Sequence, residues 1–208
     1  MKSNHLSQAW LVITLAAIFG GALAGVELAL RDRIAENKRN EMLNQVPILV
    51  PESTHGDIDN ALSEQYGKLV AKALDKDGKV VGYVFVACGD GFADKIELII
   101  GINPTLDEIK GIYVLTQKET PGLGNKIVES DFRDQFRGKS VATPVSASKK
   151  PKDNQIGAIT AATISSTAVC NIINKGVNDF KKALLARAEA QTKKAATDNQ
   201  EGGVPDGE

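Results

Sequence analysis

The longest apolar run of the chain lies near its N-terminus. Residues 9–26 read AWLVITLAAIFGGALAGV, in which Thr14 is the only polar side chain. Leu28 and Leu30 extend the run past Glu27 to about the length that crosses a bilayer, and Trp10 stands at one end, as an interfacial aromatic would. The pattern predicts an N-terminal tail over 1–8 and a single transmembrane helix over 9–30.

A cleaved signal peptide is the alternative, because Ala22-Leu23-Ala24 resembles a small-residue cleavage site. The length of the run favours an anchor. So does the continuation ELALRDRIAENKRNEMLN, which lacks Gly and Pro and therefore predicts a helix that goes on beyond the membrane. We expect a juxtamembrane helix and linker over 31–65.

Charge gives a conflicting indication of orientation. Lys2 lies before the apolar run, whereas four basic residues follow it: Arg31, Arg33, Lys38 and Arg39. The positive-inside rule, taken alone, would place the C-terminal bulk of the chain in the cytoplasm.

From about Leu69 the apolar period becomes that of β-strands. Residues 68–74 and 80–87 flank Asp75-Lys76-Asp77-Gly78, which is a hairpin signal. Two more strands are predicted over 96–102 and 109–116, separated by a segment that opens with the turn residues Asn103-Pro104-Thr105.

Helical patterns follow the strands. Residues 129–136 predict a short amphipathic helix that packs Phe132 and Phe136, and 146–155 is polar and predicts a loop. A long helix is predicted from about Thr163 to Ala190. The fold class is therefore α+β, an antiparallel sheet with packed helices, over 66–190. The remainder, 191–208, has few large apolar residues and predicts a disordered tail.

Composition removes several classes of function. There are 25 basic and 26 acidic residues, a net charge of −1, and only 5% aromatic residues, so no nucleic acid is expected as a partner. The cysteines, Cys88 and Cys170, match no metal spacing; they form one disulfide or are two small buried side chains. His5 and His55 lie outside the predicted core, which leaves a histidine-based active site without support.

Three polar segments carry the candidate chemistry. GDGFAD, at 89–94, is either an ordinary connector or a ligand loop. ETPGLG, at 119–124, has the Pro-Gly of a type II turn and can bring bare backbone close to a flat ligand. GAITAATISSTAV, at 157–169, clusters hydroxyls where the long helix begins, without any base to activate them. These hydroxyls act as a helix N-cap, through Thr160 or Thr163, or one of them is an attachment point.

Together these pieces resemble a known family. The anchor, GYVF at 82–85, ETPGLG at 119–124 and ITAATISS at 159–166 resemble the flavin-mononucleotide (FMN)-binding domain of the G subunit of the Rnf (Rsx) ion-translocating electron transport complex. A related domain occurs in the C subunit of the sodium-translocating NADH:quinone reductase. The resemblance runs from the anchor to about Phe180.

The resemblance implies a covalent flavin. In the family, a separate flavin transferase esterifies the FMN phosphate to the last Thr of a Ser/Thr-Gly-Ala-Thr motif, which matches Thr163. The implied cofactor-binding residues come from both motifs: Thr163, Glu119, Thr120, Gly122, Leu123, Gly124, Thr160, Ala162, Ile164 and Ser166. The phosphate would lie at the helix start, where free N–H groups favour negative charge, and Ser165 and Ser166 are expected to add donors.

The chain departs from the family at two positions. Ala161 stands where the family motif has Gly, and Gly157 stands where the transferase recognition pattern has Asp, six residues before the modified Thr. Ala for Gly is a small change unless the backbone there needs a positive φ.

The family also implies a location and partners. The domain would face the periplasmic side of the bacterial inner membrane and pass electrons between other subunits of the complex. Two alternatives stay open. One is a flavin-free anchored subunit that serves assembly, which Gly157 and Ala161 favour. The other is a secreted, signal-cleaved flavin-binding module.

Overall fold

The structure is a computed structural model that describes residues 5–201, with side chains described over 9–192. The described residues form two compact units, with the boundary between Asn40 and Glu41. The first helix, α1 (His5–Leu49), carries the apolar run. Ala9–Leu49 is long and apolar enough to cross a membrane, none of its most apolar 18 residues is buried, and its place near the N-terminus fits both an anchor and a signal sequence.

The second unit is built on a five-stranded sheet. Its strands are β1 (His55–Ile58), β2 (Val70–Leu74), β3 (Val80–Asp90), β4 (Lys95–Ile102) and β5 (Ile109–Thr116). They pair in chain order, and every pair is antiparallel. The predicted hairpin and the next two predicted strands are confirmed. The antiparallel sheet with packed helices confirms the predicted α+β class.

Helices connect and follow these strands. The short helix α2 (Asn60–Tyr66) lies between β1 and β2. After β5 come a 3-10 turn (Gly124–Val128), α3 (Ser130–Arg133) and a second 3-10 turn (Asp134–Phe136). Phe132 and Phe136 are both buried and meet edge to face, as the amphipathic pattern predicted. The last helix, α4, spans Thr163–Glu201.

The sheet is buried on both faces, and this is why its strands read as nearly continuous apolar runs. On one face Phe85 and Ile100 pack against α4, where Phe85 stacks on Phe180 with ring centroids 4.5 Å apart. On the other face Val84 and Ile99 pack against the end of α1. Neighbouring residues of one strand thus point into two different apolar layers.

The folded unit includes more of the chain than the predicted 66–190. Met42, Val46 and Leu49, all in the segment expected to be juxtamembrane helix and linker, are buried against the sheet. Strand β1 also lies before residue 66, and helix α2 ends at it. Local pattern did not reveal this because the helical period continues unchanged from solvent into the core.

Two other segments differ from expectation. Residues 146–155 were expected to be a loop, but β6 (Ser146–Ser148) and β7 (Gln155–Gly157) form a parallel pair, with Ile156 fully buried. Three-residue strands with one apolar side chain are too short to show a period. Helix α4 also continues past the predicted end at Ala190, over part of the expected disordered tail; residues 202–208 lie outside the described range.

Candidate functional site

The two family motifs converge on one cleft. A cavity of about 340 Å³ lies between the ETPGLG loop and the start of α4, and Phe92 of the GDGFAD loop closes its third side. Six of the predicted residues line it, namely Thr120, Leu123, Gly124, Ala162, Thr163 and Ile164. Phe92, Ala161 and Ser165 complete the lining. The volume is within the range of cavities that hold small ligands.

Much of the cleft surface is apolar and open to solvent. Phe92, Leu123 and Ile164 are 62%, 41% and 60% exposed, respectively. Large apolar side chains that stand this far out of the core around one concavity mark a binding surface.

Both loops beside the cleft are β-turns that require a positive φ at the third position. In the first, Leu123 N–H donates to the Thr120 carbonyl, and Gly122 has φ of 75°. In the second, Ala162 N–H donates to the Ile159 carbonyl, and Ala161 has φ of 62°. This conformation is that of a type II turn, which favours Gly. Ala161, the departure from the family motif, therefore occupies the one position of its turn where Gly is preferred.

The start of α4 leaves its first donors free. The first helical hydrogen bond runs from Ser166 N–H to the Ala162 carbonyl. Within the described part of the chain, the N–H groups of Thr163, Ile164 and Ser165 have no acceptor. Unsatisfied N–H groups at a helix start, together with the helix dipole, favour an anion. The helix begins at Thr163 itself, so the N-cap position is Ala162 and neither Thr160 nor Thr163 serves as the predicted N-cap.

The hydroxyls of this segment differ in what they do. Ser165 Oγ donates to Glu119, and Ser166 Oγ donates to the Ala162 carbonyl while accepting from Ile159 N–H. Both serines are buried. The expectation that Ser165 and Ser166 supply donors to a ligand is therefore not supported: Ser166, a predicted cofactor contact, holds the turn instead.

Thr163 is exposed and borders three clefts. It lines the main cleft and two adjoining ones, of about 330 Å³ and 380 Å³. Thr167 lines only the first of these adjoining clefts, and Thr160 lines only the second, together with Lys149. Among the described residues, the Thr163 hydroxyl has no hydrogen-bond partner.

Glu119 was predicted to contact the cofactor but lies behind the cleft wall, 4% exposed. Its Oε1 accepts from the N–H groups of Phe92 and Ala93, at 2.9 and 3.0 Å, and its Oε2 accepts from Ser165 Oγ. Burial opposes ionisation of this carboxyl, but the hydrogen bonds from Ser165, Ala93 and Phe92 outweigh it and lower the pKa.

Gly124 is needed for close approach. A Cβ at this position would come within 2.6 Å of Ser165 Oγ and 2.8 Å of Glu119 Oε2. No side chain larger than hydrogen fits there without moving α4 away from the loop. At Gly124 the bare backbone of ETPGLG therefore allows the loop to pack closely against α4.

Sequence reasoning missed Phe92 and Lys149. The sequence left GDGFAD open as either an ordinary connector or a ligand loop. Its glycines and its aromatic residue were the features that could have indicated a ligand loop. Nothing in the local sequence around Lys149 indicates that it lies beside Thr160 and Thr163. The cysteines are free: Cys88 is exposed and Cys170 is buried. Within the described residues, no group of acidic, Cys or His side chains is arranged to hold a metal ion.

The fold is that of a flavin-binding domain: residues 91–178, which include every residue that lines the main cleft, match the family model described as the FMN-binding domain. A curated relative, the G subunit of the ion-translocating oxidoreductase complex of Shewanella baltica OS223, is 32% identical over 154 residues, which are 67% of this chain and 71% of the relative. The corresponding G subunit of Pseudomonas aeruginosa UCBPP-PA14 is 29% identical and aligns over 91% of this chain and 96% of its own length. The chain belongs to the family of G subunits of ion-translocating (Rnf) oxidoreductase complexes.

Among solved structures, the crystal structure of Shewanella oneidensis NqrC is similar to this chain, with 22% sequence identity and a TM-score of 0.48. The match covers 55% of this chain and 61% of that one.

Proposed function

We propose that this protein holds FMN covalently, through a phosphoester to Thr163, and passes electrons within an Rnf-type complex as a membrane-anchored subunit. The observation that carries the proposal is the Thr163 hydroxyl, which is exposed at the start of α4 and has no partner in the described chain. A phosphoester needs an accessible hydroxyl, and a separate transferase supplies the catalysis.

Comparison of the neighbouring hydroxyls supports Thr163. Ser165 and Ser166 are buried and donate elsewhere. Thr160 and Thr167 are exposed, but neither lines the main cleft. Attachment at Thr163 is the choice that leaves a tethered flavin facing the apolar cleft.

The surroundings of Thr163 suit a phosphate. The free N–H groups of Thr163, Ile164 and Ser165 lie at the positive end of the α4 dipole. Lys149, which lines the adjoining cleft with Thr163, would add positive charge. These groups would hold the phosphate without any contribution from Ser166.

The flavin ring would lie against the apolar side chains of the cleft, Phe92, Leu123 and Ile164. Thr120, which lines the cleft, would donate its hydroxyl to a polar edge of the ring or to the phosphate. When bound, FMN supplies the electron-transfer chemistry, and the residues of this chain bind it, orient it and restrict access of water.

The test is the mass and colour of denatured protein after co-expression with the cognate flavin transferase. Wild type should keep its yellow colour and the added mass of the FMN phosphoester, and Thr163→Ala should lose both. Thr167→Ala, an exposed hydroxyl one turn further along the same helix, is the matched control and should stay yellow. A Thr163→Ala protein that remains covalently yellow would disprove the attachment.

A flavin-free wild type would support the alternative of an assembly subunit. Gly157→Asp then tests whether the missing transferase Asp is the reason. A Cβ at Gly157 would lie 3.1 Å from Gln135 Oε1, the end of a flexible side chain, so the substitution should fold. If Gly157→Asp acquires flavin where wild type does not, Thr163 can be flavinylated and the wild-type chain lacks only recognition by the transferase.

We further propose that residues from about 9 to 30 anchor the protein uncleaved in the bacterial inner membrane, with the domain on the periplasmic side. The apolar run supports the anchor. The topology of the family supports a periplasmic domain, although the positive-inside rule favours the cytoplasm. We give the family more weight because other subunits of a complex can fix the orientation of the anchor. Reporter fusions after Asn44 test the side, and the mass of the mature N-terminus tests cleavage. A cytoplasmically active reporter or a mass without 1–24 would contradict the proposal.

A further inference from the structure

Glu119 connects three segments that are far apart in the chain. Its two oxygens accept from Phe92 and Ala93 in the GDGFAD loop and from Ser165 in α4, while Glu119 itself belongs to the ETPGLG loop. The sequence separations of these bonds are 27, 26 and 46 residues. One side chain therefore joins the three walls of the cleft.

Only neutral donors hold this carboxylate. Within residues 9–192 no Lys, Arg or His forms a salt bridge with Glu119, although it is almost fully buried. A buried charge without a cation depends on its hydrogen bonds, and such charge-assisted bonds are short and strong. The donors therefore have little freedom to move away from Glu119.

The donors carry the side chains that face the cleft. The N–H of Phe92 is fixed by Glu119, and the Phe92 ring stands exposed at the mouth of the cleft. On the other side, Ser165 is fixed in the first turn of α4, next to Ile164 and two residues from Thr163. Displacement of either donor would change the width of the cleft.

We infer that Glu119 is a positioning residue that sets the cleft width and holds Phe92 over the flavin ring. The part that concerns the flavin rests on the proposed function. The part that concerns the loop does not, because the hydrogen bonds exist without a ligand.

The loop is tested first, by amide hydrogen exchange on the full chain in detergent. Glu119→Gln keeps the size of the side chain but removes its charge, and exchange at Phe92 and Ala93 should become about tenfold faster. Glu108→Gln, a carboxylate paired with Lys110 away from the cleft, is the matched control and should leave exchange at these amides unchanged. Unchanged exchange at Phe92 and Ala93 in Glu119→Gln would overturn the inference.

The flavin is tested by iodide quenching of its fluorescence in the covalently loaded protein. Phe92→Ala should raise the quenching constant, Glu119→Gln should raise it by a smaller amount, and the double variant should go no further than Phe92→Ala alone. Ser165→Ala should raise quenching while exchange at Phe92 and Ala93 stays as in wild type, because the loop bonds remain. Quenching unaffected by Phe92→Ala, or full additivity in the double variant, would reject the role of Phe92.

The two proposals fail separately. Wild-type protein that carries no flavin despite the transferase contradicts the proposed attachment, and the exchange experiment still decides whether Glu119 holds the loop. Covalently loaded protein with normal exchange in Glu119→Gln contradicts the inference alone.

Discussion

Asp59 and Glu119 are both buried carboxylates, 7% and 4% exposed, but their partners are of opposite kinds. Asp59 accepts from Lys72 Nζ at 2.9 Å and from Arg187, and it caps α2 through Leu62 N–H at 3.0 Å. Glu119 has backbone and hydroxyl donors and no cation among the described residues. The first carboxylate joins regular elements with charge, whereas the second joins loops with neutral donors.

This difference in partners indicates that Asp59 belongs to the scaffold of the fold and that Glu119 belongs to the candidate site. At Asp59, two cations from β2 and α4 neutralise the carboxylate, so the region is fixed whatever binds elsewhere. At Glu119, the charge is held by the same backbone that shapes the cleft, so the stability of the carboxylate and the shape of the cleft depend on each other. We expect substitutions at Asp59 to change the free energy of unfolding and those at Glu119 to change mainly the cleft.

The largest effect should come from Asp59→Ala. It removes the helix cap and leaves Lys72 and Arg187 without their partner, and it should lower the free energy of unfolding by roughly 3 kcal/mol. Urea unfolding followed by circular dichroism measures this. Asp179→Ala, which breaks a surface pair with Lys175, is the control and should change it by less than about 0.5 kcal/mol. Equal losses in the two variants would show that Asp59 stabilises the fold no more than a surface carboxylate does.

The second largest effect should be a loss of unfolding free energy at acidic pH, caused by protonation of Asp59. Burial opposes its ionisation, but bonds from Lys72, Leu62 and Arg187 lower its pKa from 3.8 to about 2. A lowered folded-state pKa gives stability that is present above the ordinary pKa and is lost as pH falls through the folded value. On the order of 2 kcal/mol should thus disappear between about pH 4 and pH 2. Unfolding titrations across this range should be flatter in Asp59→Asn; an identical slope would contradict the assignment.

Glu119→Gln should have a smaller effect on stability. The Gln oxygen can still accept from the loop, and the Ser165 hydroxyl can turn to accept from the Gln amide, so the loss should be about 1 kcal/mol. Urea unfolding beside Glu108→Gln measures it. A loss as large as that of Asp59→Ala would place Glu119 in the scaffold rather than in the site.

The smallest effect is expected at Ala161, and its sign is opposite. Its φ of 62° is strained for a side chain with Cβ, so Ala161→Gly should raise the free energy of unfolding by up to about 1 kcal/mol. Ala158→Gly, a nearby residue without a positive φ, should lower it instead. Thermal unfolding distinguishes the two, and destabilisation by Ala161→Gly would show that the turn does not need Gly.

Much of the fold could be predicted from local sequence. The hairpin at Asp75–Gly78, the strands that follow it, the packing of Phe132 and Phe136 and the start of the long helix at Thr163 were all expected. Each depends on periodicity or turn chemistry within a few residues, and such signals are readable without knowledge of neighbours in space. The motif residues Thr120 and Thr163 were expected to converge on one cleft, and they line the same one.

Tertiary structure decided what these residues do. The residue types between 157 and 169 do not say which of the five hydroxyls are bonded within the fold and which face a cleft. In the structure Ser165 donates to Glu119, and Ser166 donates to the Ala162 carbonyl. Of the three threonines, Thr160, Thr163 and Thr167, only Thr163 lines the main cleft. The same is true of Met42 and Val46, whose helical pattern does not show that they complete the second face of the sheet. The physical reason is the range of the interactions. Helices and turns are set by bonds across three or four residues, whereas the cleft is set by one carboxylate whose donors lie 26 to 46 residues away.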